Sequence, residues 1–195
     1  DAIQGLGVLE FDVKRFQVDF MTAGAGKWLL GPIGVSCFYC RRELLDRIQL
    51  PYASYGSVVT PEDLTGVYEY VLRPGAERFE ISSQNFLGIY GFNASLGIIE
   101  RAGVQNIETH ALRLTDLLVD RLQEKGYVIK SPLDPRQRSG IISFAHSKHD
   151  PEWLLEQLRA AKIMVSLRAG GIRVAAHLFN NEEDIDRLLA ALPDN

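Results

Sequence analysis

The stretch Thr22-Ala-Gly24-Ala-Gly26-Lys27-Trp28-Leu-Leu-Gly31-Pro sets one amine between a glycine-rich loop and an apolar segment. A lysine amine is a nucleophile once it loses its proton, and withdrawal from water is one route to that state. Such a lysine suits Schiff-base chemistry with a carbonyl compound. The same glycines invite two nucleotide readings, and both fail on spacing. A phosphate-binding P-loop needs glycine at position 21 and Ser or Thr at position 28, where Met21 and Trp28 stand. A dinucleotide fingerprint needs glycine at position 29, which is Leu29.

Cys37 and Cys40 form a C-x-x-C, but inside a strand that odd spacing sends the two thiols to opposite faces. There is no second cysteine pair, and His110, His146, His149 and His177 show no metal spacing, so a zinc site lacks its ligands. The plain reading is two buried strand cysteines. His146-Ser-Lys-His149 falls between a strand and a capped helix and reads as a solvated turn.

These residues sit in a chain of 195, long enough for one or two domains of about 100–200 residues each. Lys plus Arg is 21 against 25 Asp plus Glu, a net charge of −4 with histidine neutral. That sign leaves no footprint for nucleic acid or for an anionic membrane surface. An apolar share of 46% and a charged share of 24% match globular proteins. No apolar run reaches the ~18 residues of a membrane span, and a cytoplasmic address is the default.

The elements that must position the chemistry follow from punctuation and period. Val18–Met21, Trp28–Pro32 and Val35–Cys40 read as strands around the glycine loop, and Arg41–Ile48 has helical spacing at Leu44, Leu45 and Ile48. From Leu50 to Phe79 the chain reads as a surface excursion, with a short helix after Thr60-Pro61. Phe86–Arg101 and Ile107–Lys125 are consecutive helices interrupted at Gly103. Strands at Tyr127–Ile129 and Gly140–Ala145 follow. Asp150-Pro151 then caps a helix, Ile163–Leu167 and Ile172–Ala176 pair, and Asn181-Glu-Glu-Asp184 opens the last helix. Helix, helix, strand, strand, helix, strand, strand, helix is a small mixed α/β domain, with its boundary at residue 86.

Asp1-Ala-Ile-Gln4, Val18-Asp-Phe20, Lys27-Trp-Leu-Leu-Gly31-Pro-x-Gly34 and Phe38-Tyr39 occur in an order and spacing that resembles the class V aminotransferase family of fold type I pyridoxal phosphate (PLP) enzymes. The resemblance continues through Arg78-Phe-Glu-x-x-Ser83-x-Asn85, the Gly88–Gly103 helix, Ile172-Arg173-Val174, His177 and Phe179-Asn180-Asn181-Glu-Glu-Asp184, and so spans essentially the whole chain. It implies an α/β fold: residues 1–85 as the C-terminal part of the large PLP-binding domain, 86–195 as the small α/β domain. It also implies the cofactor pyridoxal 5'-phosphate, an amino-acid substrate and a homodimer with shared active sites.

Residue by residue, Lys27 resembles the catalytic lysine that holds PLP as a Schiff base and moves protons at the substrate α-carbon. Asp1 resembles the carboxylate that keeps the pyridine nitrogen protonated, so that the ring accepts electrons. Gln4 is similar to the residue bonded to the ring's phenolic oxygen. Ser83 stands where the family has a hydroxyl directed to the neighbouring subunit's cofactor phosphate. Arg173 matches the arginine that clamps the substrate carboxylate, for which a planar fork is suited. Read without the family, Asp1 is a surface acid, Ser83 a helix N-cap, and Arg173 a partner for an acid of the last helix.

The chain also departs from the pattern. Where many relatives carry a hydroxyl residue and a histidine before the lysine, Gly24 and Gly26 stand here; a backbone nest of the glycine loop and the Thr22 hydroxyl are the remaining phosphate ligands. Arg168-Ala-Gly-Gly171 is short and has no cysteine, which argues against a cysteine desulfurase and leaves a transferase, epimerase or lyase. In the family roughly half the fold precedes the aspartate at position 1. An isolated chain is therefore expected to expose apolar surface around residues 18–40. The alternative function is a truncated or degenerate non-catalytic relative that acts as a dimerisation or binding module.

Overall fold

Six strands and four α-helices are present among the described residues, 1–59, 70–81 and 83–194, of this computed structural model. The described chain divides into two compact units: Asp1–Leu6 with Phe11–Arg101, and Gly7–Glu10 with Ala102–Asn195. The boundary expected at 85/86 falls at the start of a helix that stays with the first unit almost to its end.

In the first unit, β1 (Phe20–Gly24) pairs antiparallel with β2 (Ser36–Cys40), Thr22 opposite Phe38 and Gly24 opposite Ser36. Phe20 and Phe38 stack at 6.5 Å between ring centroids, and both remain exposed. The expectation of exposed apolar surface here accords with these two rings, and among the described residues the sheet holds two strands. Arg41–Ile48 is shorter and tighter than expected, a 3-10 helix over Arg42–Arg47 with Leu45 buried. A second 3-10 helix, Ala76–Phe79, buries Arg78, whose Nε donates to the Arg73 carbonyl and whose Nη1 reaches Leu45 O and Asp46. The short helix expected after Thr60-Pro61 lies outside the described residues. Helix α1 (Phe86–Ala102) follows.

The second unit is a four-stranded antiparallel sheet in the order β3-β4-β6-β5: β3 (Val128–Ile129), β4 (Ile141–Ala145), β5 (Ser166–Arg168) and β6 (Gly171–Ala175). Its helices are α2 (Val104–Glu124), α3 (Pro151–Ala160) and α4 (Glu182–Ala190). Gly103 takes φ +79°, a left-handed turn that ends one helix and starts the next. Ile107, Ala111, Leu114, Leu118 and Leu122 form one buried stripe along α2. Of these, Leu114, Leu118 and Leu122 meet Ile142, Phe144, Ile172, Leu154, Leu158, Ile185 and Leu188 in one core on a single face of the sheet.

Two expectations change in this unit. The strand read over Ile163–Leu167 is limited to Ser166–Arg168. His146, read as part of a solvated turn, is buried, its ring centroid 4.7 Å from Tyr127 and 4.6 Å from His149. The apolar faces of Tyr127 and the α3 corner close over it, a contact that spacing alone does not reveal.

Candidate functional site

Lys27 stands in a turn built by its neighbours. The Ala25 N–H donates to Val35 O at 2.9 Å, Gly31 N–H to Ala25 O at 2.8 Å, and Leu30 N–H to Lys27 O at 3.0 Å. Trp28–Pro32 is thus a tight reversal in place of the expected strand, with Leu30 in the left-handed region at φ +57°. Trp28 and Leu29 are buried and anchor the reversal, while Lys27 is exposed. The reason is directional: the reversal turns its apolar residues inward, and the preceding lysine faces out.

Helix α1 holds this turn through small residues. A Cβ on Gly91 would stand 2.8 Å from Pro32 Cγ, and Ser95 Oγ donates to Leu30 O at 2.8 Å or to Gly91 O at 3.0 Å. Gly88, Gly91 and Ser95, at helical spacing, are site-positioning residues that the sequence reading passed over. Their signal was the small-residue stripe on one helix face.

The N-terminal segment lies beside the other edge of β1. Ala2 N–H donates to Thr22 O at 2.8 Å, and Gly5 N–H closes a turn on Ala2 O at 3.0 Å, with Gln4 inside it. Asp1 Oδ1 accepts the Ile3 N–H at 2.9 Å, and Oδ2 has no hydrogen-bond partner among the described residues. Gly24 leaves room for this segment, since a Cβ there would stand 3.2 Å from Ile3 Cδ1. Asp1, Gln4, Thr22 and Gly24 therefore lie along one edge that runs into Gly26 and Lys27. Neither Gly24 nor Gly26 has positive φ; the left-handed residues nearby are Leu30 and Gly34. The alternating backbone handedness of an anion nest is thus not at the two glycines where it was expected.

Ser83, in the same unit, is exposed ahead of α1 and is not its cap: Asn85 Oδ1 accepts the Gly88 N–H at 3.0 Å. Arg173 belongs to the second unit, on β6, half-buried between Ser143 of β4 and Ser166 of β5. It pairs with no acid of α4, where Glu182 meets Arg113 and Asp186 meets Arg121. Cys40 is buried, and burial pushes its thiol pKa up, which keeps it protonated and unreactive; Cys37, expected to be buried, is only half-buried, its thiol 3.6 Å from Ala23 O.

Mixed α/β units, one of them with an exposed amine at a glycine loop, are the architecture and site of this chain. The chain belongs to the aminotransferase class-V family, whose model matches residues 1–188. It is 28% identical to a probable cysteine desulfurase of Pyrococcus abyssi over 100% of this chain and 51% of that one. It is 29% identical to an uncharacterized aminotransferase of Bacillus subtilis over 95% of this chain and 48% of that one. The apo cysteine desulfurase of Thermococcus onnurineus has the same fold, with a TM-score of 0.87 at 27% identity over 97% of this chain and 50% of that one. The chain spans about half the length of the curated relatives it matches.

The residues present suit PLP by donor chemistry. One unit carries a primary amine on Lys27, a carboxylate on Asp1 with a spare oxygen, the Gln4 amide and the Thr22 hydroxyl. Among the described residues no helix is long and apolar enough to cross a membrane.

Proposed function

We propose that this chain is the part of a PLP-dependent transferase or lyase that carries the catalytic lysine and the substrate-carboxylate arginine, acting at the α-carbon of an amino acid. The observation that carries the reading is the Lys27 turn, which presents an exposed amine on a framework fixed by Trp28, Leu29, Gly31 and Ser95. When bound, PLP supplies an electron sink for charge that develops at the α-carbon. Lys27 would hold the cofactor through its amine, and that amine would carry the α-proton to and from the substrate. Asp1 would keep a proton on the ring nitrogen, Gln4 would bond the ring oxygen, and the Thr22 hydroxyl would bind phosphate. Arg173 orients the substrate by its carboxylate.

A homodimer in which Ser83 serves the partner's cofactor belongs to the same proposal, as does the division into a large-domain part at 1–85 and a small domain at 86–195. The comparisons lend no support to setting a desulfurase aside, because the curated relatives are mostly named as such. What favours an aminotransferase, epimerase or other lyase is this chain's own β5–β6 turn: Arg168-Ala-Gly-Gly171 holds no cysteine, and both cysteines lie on β2.

The test is borohydride reduction of the protein after incubation with PLP, followed by a peptide mass map. A pyridoxyl group on Lys27 is expected. An unmodified Lys27 in a sample saturated with PLP overturns the reading and leaves a non-catalytic binding module.

A further inference from the structure

The face of the β3-β4-β6-β5 sheet away from the core carries charge of which the functional reading uses only Arg173. Ile142, Phe144, Leu167, Ile172 and Val174 point into the core, so by alternation Ser143, Ser166, Arg168, Gly171 and Arg173 share the opposite face. Arg173 is paired with Ser166, and Arg168 with Gly171, in the β5–β6 register. The two arginines are thus diagonal neighbours, with Cα atoms about 7–8 Å apart. Neither meets a carboxylate among the described residues, whereas Arg113, Arg121, Arg136 and Arg138 of the same unit each do.

A third cation braces this pair. Lys130 Nζ donates to Ala169 O at 2.7 Å and lies 3.3 Å from Gly170 O, the two residues of the β5–β6 turn. Its alkyl chain crosses the sheet at Gly171, where a Cβ would stand 3.1 Å from Lys130 Cδ and 2.9 Å from Ser143 Oγ. Ala169 and Gly170 take φ +46° and +66°, the tight two-residue hairpin turn in which both residues are left-handed. Alanine is disfavoured in that conformation, and the bond from Lys130 offsets this by holding its carbonyl. The turn sets Arg168 at the strand end, beside Arg173.

We propose that Arg168 forms a second anion position next to Arg173, held in place by Lys130, so that the substrate class is an amino acid with an acidic group on its side chain. The inference rests on the reading of Arg173 as the substrate-carboxylate clamp. Two planar forks at this separation suit two carboxylates joined by a short carbon chain. Ser143 and Ser166, which flank Arg173 on the neighbouring strands, supply hydroxyls on the same face.

The test is calorimetric titration of the intact protein with glutarate, butyrate and inorganic phosphate, for the parent and for Arg168→Gln, Arg168→Lys, Arg173→Gln and Lys130→Met. Glutarate is expected to bind about tenfold more tightly than butyrate, a preference that Arg168→Gln abolishes and Arg168→Lys restores in part. Arg173→Gln weakens both ligands, and Lys130→Met weakens glutarate alone. Equal affinity for the two acids, phosphate as tight as glutarate, no binding of either acid, or a preference unchanged in Arg168→Gln overturns the proposal. The Lys27 adduct, read in parallel, separates the two readings. An adduct without the glutarate preference leaves the PLP reading standing alone; the preference without an adduct leaves a dicarboxylate site alone.

Discussion

Gly31 lies so close to Ala25 that a Cβ at position 31 would stand 2.6 Å from the Ala25 Cβ, and 2.8 Å from Phe92 Cδ2. The reversal after Lys27 closes only because that atom is missing. Gly31→Ala must push apart two parts of the first unit, at a cost of about 1–3 kcal/mol by analogy with overpacked cores. Urea denaturation of the parent and variant checks this, and an unchanged midpoint would show that the turn does not depend on the contact.

Phe144 is fully buried in the sheet core and meets the Tyr127 ring edge-on at 5.4 Å. Phe144→Ala leaves a cavity bounded by helices and strand, with an expected loss of about 3–5 kcal/mol. The same denaturant experiment measures it, through a lower midpoint at constant slope.

Asp150 caps α3, its Oδ1 accepting the N–H groups of Glu152 at 2.8 Å and Trp153 at 3.3 Å. Asp150→Ala removes both bonds and is expected to cost about 0.5–2 kcal/mol, while Asp150→Ser or Asn retains most of the stability. Thermal melts of the three variants distinguish a capping role from a charge effect.

His146 titrates below the ordinary histidine range because it is buried, with smaller contributions from His149 and Lys148. Its Nδ1 accepts the Lys148 N–H at 3.1 Å, and Nε2 has no partner among the described residues. In the unfolded chain the ring takes up a proton near pH ~6.5, before the folded protein does. Stability is therefore complete above that pH and falls as pH drops towards the depressed folded value. His146→Phe should flatten that slope in denaturation measured from pH 7 to 5; an identical slope in the variant would assign the acid sensitivity to other groups.

Where local chemistry suffices, the elements were legible in the residues. Asp150-Pro151 marks the start of α3, and Asn181 with Asp184 makes the reciprocal cap of α4, each bond lying within four residues. The stripe of α2 was visible for the same reason, since every third or fourth residue carries its own instruction. The lysine turn was not: Trp28–Pro32 has a strand's composition, and one of the bonds that hold its reversal comes from Ser95, 65 residues away from the carbonyl it holds.

The candidate site divides along the same line. Lys27, Asp1, Gln4 and Arg173 were identifiable as types in a spaced pattern, and with them the family and its cofactor chemistry. Tertiary structure alone decided that Lys27 faces outward, that His146 is buried, and that Lys130 crosses 39 residues to hold the Ala169 turn. Propensity and periodicity encode what a residue does within a few positions of itself; burial, orientation and long-range hydrogen bonds depend on which surfaces meet.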